Sequence, residues 1–261
     1  MEGIEPGRAD AGSAAAPVPR EGGRQVIPRP PTARAGSVAP WAAFAPGRRR
    51  ALTTDRVRGA LSSGREIPAT GRRLPPDGFP ILQSPAAVLV PLFDEGGEAR
   101  VILTRRAAHL RAHRGEVSFP GGRMDEGETP EAGALREAAE EIGLDPGPVE
   151  TVGRLTPVTT FASGSTITPV VGLLPRRPGL VASPHEVEHV FDVALAELAD
   201  PSIFREEWWA VPGRGPGVVP GSSPDDAMVP FPVWFFELPD DTVWGATARM
   251  LVDLLRLVLE V

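Results

Sequence analysis

The acidic and basic residues of GRMDEGETPEAGALREAAEEIGL, from Gly122 to Leu144, are spaced so that they could hold a hard cation and, beside it, a phosphate group. At about 100° per residue, Arg136, Glu137, Glu140 and Glu141 fall on one helix face. Carboxylates three and four residues apart repel each other by a few tenths of a kcal/mol per pair, which a divalent cation would relieve. Magnesium takes oxygen ligands, keeps several waters and is commonly shared between carboxylates and substrate phosphates. The chemistry implied is attack by water on a phosphate ester or anhydride. The competing reading of the same letters is a solvated charged face, the common fate of Glu and Arg runs.

The helix that must carry these groups is signalled at both ends. Thr129 can cap it, Pro130 sits where a missing N–H costs nothing, Glu131 complements its positive end and Gly143 suits its stop. A helix from Pro130 to Ile142 follows, with Leu135, Ala138, Ala139 and Ile142 forming the apolar face that packs.

Gly122, five residues, Glu128, seven residues, then Arg136-Glu137-Ala138-x-Glu140-Glu141-x-Gly143-Leu144 resembles the complete signature of the Nudix hydrolases; only Ala138 stands where a larger aliphatic is more usual. The spacing by itself supports an α/β or α+β chain. The resemblance implies an α/β/α sandwich, a mixed sheet between helices with a catalytic loop-helix-loop at one side. It also implies Mg2+ or Mn2+ held by Glu137 and Glu141, with Glu140 beside them and the Gly122 carbonyl completing the site. Arg136 would orient the glutamates through an ion pair with Glu128, so Arg136, Glu137, Glu140 and Glu128 form the catalytic set. Two candidates for the general base stay open, a helix glutamate and Glu186, and an exposed Glu186 is the alternative for the latter.

Immediately upstream, Leu103-Thr104-Arg105-Arg106, Leu110, His113, Gly115, Val117 and Phe119-Pro120-Gly121-Gly122 resemble the extra motif of the coenzyme A pyrophosphatase branch. "ITPVVG" at Ile167 and "WGATARML" at Trp244 are similar to later elements of that branch. Arg105 and Arg106 could grip phosphates as bidentate donors and His113 could donate to a phosphate or sugar oxygen, with Phe119 completing the substrate-binding set. The plainer alternative pairs an arginine with an acid and makes His113 a packing group. The resemblance implies a small-molecule substrate, coenzyme A or its acyl or oxidised forms, cleaved to 3′,5′-ADP and 4′-phosphopantetheine. Another nucleoside diphosphate, such as ADP-ribose or a dinucleotide, is the alternative substrate, and a non-catalytic nucleotide sensor is the alternative role. A homodimer is compatible with it; no nucleic-acid partner is expected.

The 261 residues suffice for one catalytic domain with additional segments. Cysteine is absent, which excludes disulfides, thiolate nucleophiles and sulfur-ligated metals. Lysine, tyrosine and asparagine are absent too while Arg, Ala, Gly and Pro abound, the bias of GC-rich bacterial coding. No apolar run reaches the roughly 20 residues of a membrane span, and no charged-then-apolar leader opens the chain, so a cytoplasmic protein is expected. Residues 1–47, rich in Pro, Gly, Ala and Arg, are expected to be a disordered tail, with the domain over 48–261. Within the domain, a helix is expected over Thr53–Leu61. Strands are expected over Ala86–Phe93, Ala99–Thr104, Val149–Leu155, Ile167–Leu174 and Pro230–Leu238, with a hairpin at Asp94–Gly97. His185–Val193 reads as a loop entering a strand, Leu195–Leu198 as a short helix, and Trp244 as the start of a last helix running to about Leu259. Trp208 and Trp209 are expected to pack before a loop from Pro212 to Pro224.

Overall fold

The computed structural model describes residues 25, 27–64, 85–110, 113–160, 165–212 and 228–261. The prolines expected in loops at 68, 75, 76 and 80, the stretch 161–164 and the loop 213–224 lie outside these residues, as do residues 1–24.

The central sheet is mixed. Its middle strand β2 (Ala86–Glu95) pairs antiparallel with β3 (Glu98–Arg106) and with β5 (Gly121–Arg123), and parallel with β8 (Thr166–Leu174). Beyond these lie β4 (Val117–Ser118) and β9 (Val187–Ala194) on β3, and β6 (Glu150–Arg154) and β7 (Val158–Thr159) on β8. β2 is apolar on both faces because both are covered: Ala87, Leu89 and Phe93 enter one core, Val90 and Leu92 the other. Pro91 is tolerated there because it falls between the segments paired by β5, which ends at Val88, and by β3, which starts at Leu92.

The first core lies under α3 (Pro130–Ile142), which contributes Ala134, Ala138 and Ile142. The second is closed by α2 (Thr54–Ser62) and α5 (Gly245–Leu259), the latter through Leu251, Leu254, Leu255 and Val258. Helix, mixed sheet and helices thus make the expected α/β/α sandwich. Thr129 accepts a hydrogen bond from Ala132 N–H and Gly143 stops α3 with a left-handed φ of 63°, so both ends of that helix form as the sequence indicates. In α2, expected over Thr53–Leu61, Thr53 is the cap and accepts from Arg56 N–H. No described helix is long and apolar enough to cross a membrane.

A second sheet, unforeseen in the sequence, is antiparallel in the order β1 (Arg34–Ala35), β10 (Phe204–Pro212), β11 (Met228–Glu237), β12 (Thr242–Trp244). β10 follows the short helix α4 (Leu195–Leu198) and puts Trp209 into a small apolar cluster with Val233 and Phe235, while Trp208 stays 40% exposed.

The boundary expected at residue 48 is corrected by this sheet, since the chain from residue 27 is already part of the fold. Arg34 and Ala35 pair with Trp208 and Glu207, and Arg29 Nε donates to the buried Glu207 carboxylate at 2.8 Å. Trp41 is fully buried, edge-on to Phe204 and stacked parallel to Phe236. Helix α1 (Pro46–Arg50) then turns Arg48 and Arg49 onto the carbonyls of Leu259 and Ala199. One large aromatic and a few arginines outweigh the Pro/Gly/Ala composition, because a buried indole removes roughly 150–250 Å² from water. Replacing Trp41 by Ala should cost about 3–5 kcal/mol, read as a lowered urea midpoint with unchanged m-value; an unchanged midpoint would show that the segment does not anchor the fold.

Candidate active site

β5 and α3 meet so closely that a side chain on the residue between them would displace the Glu137 carboxylate. A Cβ on Gly122 would stand 2.5 Å from Glu137 Cδ, so the Glu137 carboxylate lies directly against the β5 backbone. At Gly121 a Cβ would collide with the Ala87 carbonyl at 2.4 Å, and its N–H donates to Glu141 Oε2 at 3.0 Å.

Arg136 organises the outer half of the site. Its Nε and Nη2 donate to the two oxygens of Glu128 at 3.0 Å, its Nη1 donates to Glu137 Oε1 at 2.9 Å and to Glu140 Oε2 at 3.3 Å, and its Nη2 also reaches the Arg123 carbonyl at 2.9 Å. Glu128 is held further by the Asp125 N–H at 2.9 Å. The guanidinium, followed by that backbone donor, keeps the Glu128 carboxyl below its ordinary range. Glu137 shifts the other way: burial, reinforced by Glu140 and Glu186, raises it in spite of Arg136.

Glu141 occupies the inner half. The expectation that it shares the exposed face of α3 is corrected, for it is 3% exposed and packs on the side of Ala134, Ala138 and Ile142. Burial pushes its carboxyl up to about 7; the Gly121 N–H and Arg106 oppose the rise, while contact with the Glu186 carboxyl adds to it. Glu186 therefore comes to the site, carried by a turn in which its N–H donates to the Ser183 carbonyl and its own carbonyl accepts from Ala107 N–H.

The four residues expected at the substrate are not gathered. Arg105 donates to both oxygens of Asp241 from the β11–β12 turn, with Nε–Oδ1 2.8 Å and Nη2–Oδ2 2.5 Å, and lies 3.8 Å from Glu188. Arg106 Nη1 lies 3.6 Å from Glu141 Oε1. Phe119 is 2% exposed inside the α5-side core, which corrects its expected contact with substrate. His113 is solvent-facing, with φ 54°, and its Nδ1 stands 2.9 Å from Glu116 Oε2. The Gly121 N–H, the Arg123 carbonyl and Asp241 have roles that the sequence did not disclose. The adjacent glycines were a signal for the first; Asp241 lies 136 positions from Arg105 and offered none.

Among the described residues, no three acidic or histidine side chains stand in ready ligand geometry, Glu137 and Glu140 being turned onto Arg136. The donor set still fits a hard divalent cation. Glu186 acts as a like charge on both Glu137 and Glu141, an excess of negative potential that such an ion would neutralise, beside a backbone strand kept bare by Gly122.

A family model described as NUDIX domain matches residues 83–211. Nudix hydrolase 3 of Caenorhabditis elegans is 45% identical over 118 residues, 44% of this chain and 49% of that protein. The Salmonella paratyphi B protein named Uncharacterized Nudix hydrolase NudL is 44% identical over 173 residues, 66% of this chain and 81% of its own length. The crystal structure of the M. smegmatis Nudix hydrolase RenU superposes with a TM-score of 0.39 at 29% identity, over 45% of this chain and 74% of that one. The chain spans 49% of the C. elegans relative and 58% of the NudL of Escherichia coli O7:K1.

Glu141 gives the metal-free protein a pH signature. Its folded-state carboxyl binds a proton more tightly than the unfolded one, so the folded state holds more protons between about pH 4.5 and 7 and stability must fall as pH rises through that window. Glu141→Gln should flatten this slope in urea titrations from pH 4.5 to 7.5; an unaltered slope would remove Glu141 as its source.

Proposed function

The chain belongs to the Nudix family, and on that premise we propose that it is a metal-dependent hydrolase of the diphosphate bond in nucleoside diphosphate derivatives, with coenzyme A or its acyl or oxidised forms as substrate. The observation that carries the hydrolase reading is the Arg136 clamp on Glu128, Glu137 and Glu140 beside the buried Glu141. A nucleotide sensor would have no use for two carboxylates held at raised proton affinity next to a third. The coenzyme A assignment is supported by the resemblance of the segment from Leu103 to Gly122.

A bound Mg2+ or Mn2+ would shield the diphosphate oxygens and lower the pKa of the attacking water. Glu137, Glu140, Glu141 and the Gly122 carbonyl are the groups that would hold it. The protein's own work is orientation. Arg136 fixes Glu137 and Glu140 at known positions on α3, and its pair with Glu128 ties the helix to the loop after β5. A helix glutamate or Glu186 would take the proton of the water; Glu141 and Glu186 stand carboxyl against carboxyl, and a group poised near neutrality suits that task. Water oxygen then bonds to one phosphorus as the bridging P–O bond breaks, leaving two phosphomonoesters.

The purified protein should convert coenzyme A in the presence of Mg2+ to 3′,5′-ADP and 4′-phosphopantetheine, identified by mass, and a chelator should stop it. ADP-ribose run in parallel tests the substrate: cleavage of ADP-ribose alone would keep the hydrolase and overturn the coenzyme A assignment. Glu137→Gln should lower kcat by about 100-fold, and retention of the wild-type rate would remove Glu137 from the site.

A further inference from the structure

Arg105 and Arg106 are neighbours on a strand, so their side chains leave the sheet on opposite faces. Each meets a nearly buried carboxylate of the protein itself: Arg105 meets Asp241 of the second sheet, 7% exposed, and Arg106 meets Glu141 of the catalytic helix, 3% exposed. The β3–β9 register shifts between these two residues, a local irregularity of the kind that re-aims a side chain.

Arg106 is unusually well held. Its N–H donates to the Glu116 carbonyl at 3.0 Å, its carbonyl accepts from Gly115 N–H at 3.1 Å, and the next residue, Ala107, donates to the carbonyl of Glu186 at 2.8 Å. The strand end thus joins the turn that carries Glu186 to the helix that carries Glu141. Within that junction Arg106 Nη1 lies 3.6 Å from Glu141 Oε1, while Arg106 Nε is sealed from solvent and has no hydrogen-bond partner. The other oxygen of Glu141 is taken by Gly121 N–H. Among the described residues Arg106 is the cation paired with this carboxylate, and a buried carboxylate without a paired cation is strongly disfavoured. Nε is thus closed to a ligand entering from solvent, although the side chain as a whole keeps 28% of its surface, and the terminal Nη1 is the atom turned to Glu141.

We propose that Arg106 is a positioning residue: it holds the Glu141 carboxylate, from the side opposite Gly121, in the orientation the site requires, and it does not grip substrate phosphates. The inference rests on the hydrolase reading above and reassigns part of the upstream motif from substrate recognition to the assembly of the acidic site. Its consequence is a loss that follows the enzyme and not the substrate.

The test compares Arg106→Ala and Arg106→Lys with the wild type in the full chain. Arg106→Ala should lower kcat by about tenfold or more while KM stays within about twofold, for every diphosphate substrate the wild type cleaves, and Mn2+ affinity measured by electron paramagnetic resonance should weaken by about tenfold. Free guanidinium should restore part of the kcat of Arg106→Ala. A raised KM with kcat and Mn2+ binding intact would overturn the proposal in favour of phosphate contact, and so would three unchanged values. Where the near-ultraviolet circular dichroism of Arg106→Ala departs from wild type, Arg106→Lys, which keeps the charge and most of the volume, carries the same comparison. If the wild type cleaves no diphosphate, the hydrolase reading fails, while the Mn2+ titration still decides whether Arg106 sets the orientation of Glu141.

Discussion

The distance between α3 and the β2–β5 pair governs the rest of the site. It is short because the contact is built from small residues, Gly122 on β5, Ala87 on β2, and Ala134 and Ala138 on the helix, while Gly121 lets β5 close on β2. Ala138, smaller than the aliphatic usual at its place in the signature, belongs to that set. At this separation the Glu137 carboxylate touches backbone, the Gly121 N–H reaches Glu141, and the Arg136 guanidinium is close enough to the loop after β5 to donate to the Arg123 carbonyl. A helix set farther out would leave the same carboxylates in water, with ordinary proton affinities and no fixed direction.

What could be read from the letters depended on whether the deciding contact was local. Helix α3 is legible from end to end because Thr129, Pro130 and Gly143 act within one turn of its ends. Glu141 was misplaced by a two-sided projection. It is seven residues from Ala134 and three from Ala138, which is the inward stripe of a helix packed tightly enough to bury a broad arc. The strand expected over Ala99–Thr104 stops short of the two arginines, whereas β3 runs on to Arg106, and adjacent positions on a strand point apart. For Glu141 the sequence contained the correction.

Elsewhere it did not. β10 mixes Arg205, Glu207 and Trp209 on one face with Phe204, Glu206 and Trp208 on the other, so neither face carries an apolar alternation. Its charges are satisfied by partners far along the chain: Arg29 on Glu207, Glu237 on Arg205, and Trp234 Nε1 on Glu206. The residues before 48 read as a tail because composition averages over a window, whereas Trp41 acts as one side chain in one slot between Phe204 and Phe236.

That slot also constrains how the chain comes together. The contact of Arg29 with Glu207 spans 178 residues, and Trp41 meets aromatics that lie comparably far along the chain. Closing such a loop costs entropy before any contact repays it, and pairing of this sequence separation is slow. The α3 side of the sheet is assembled within residues 86 to 194. It can therefore pack while the opposite face still waits for Trp41, Phe204 and Phe236, far apart along the chain, to find one another, which leaves that face the later of the two to bury its aromatic surface.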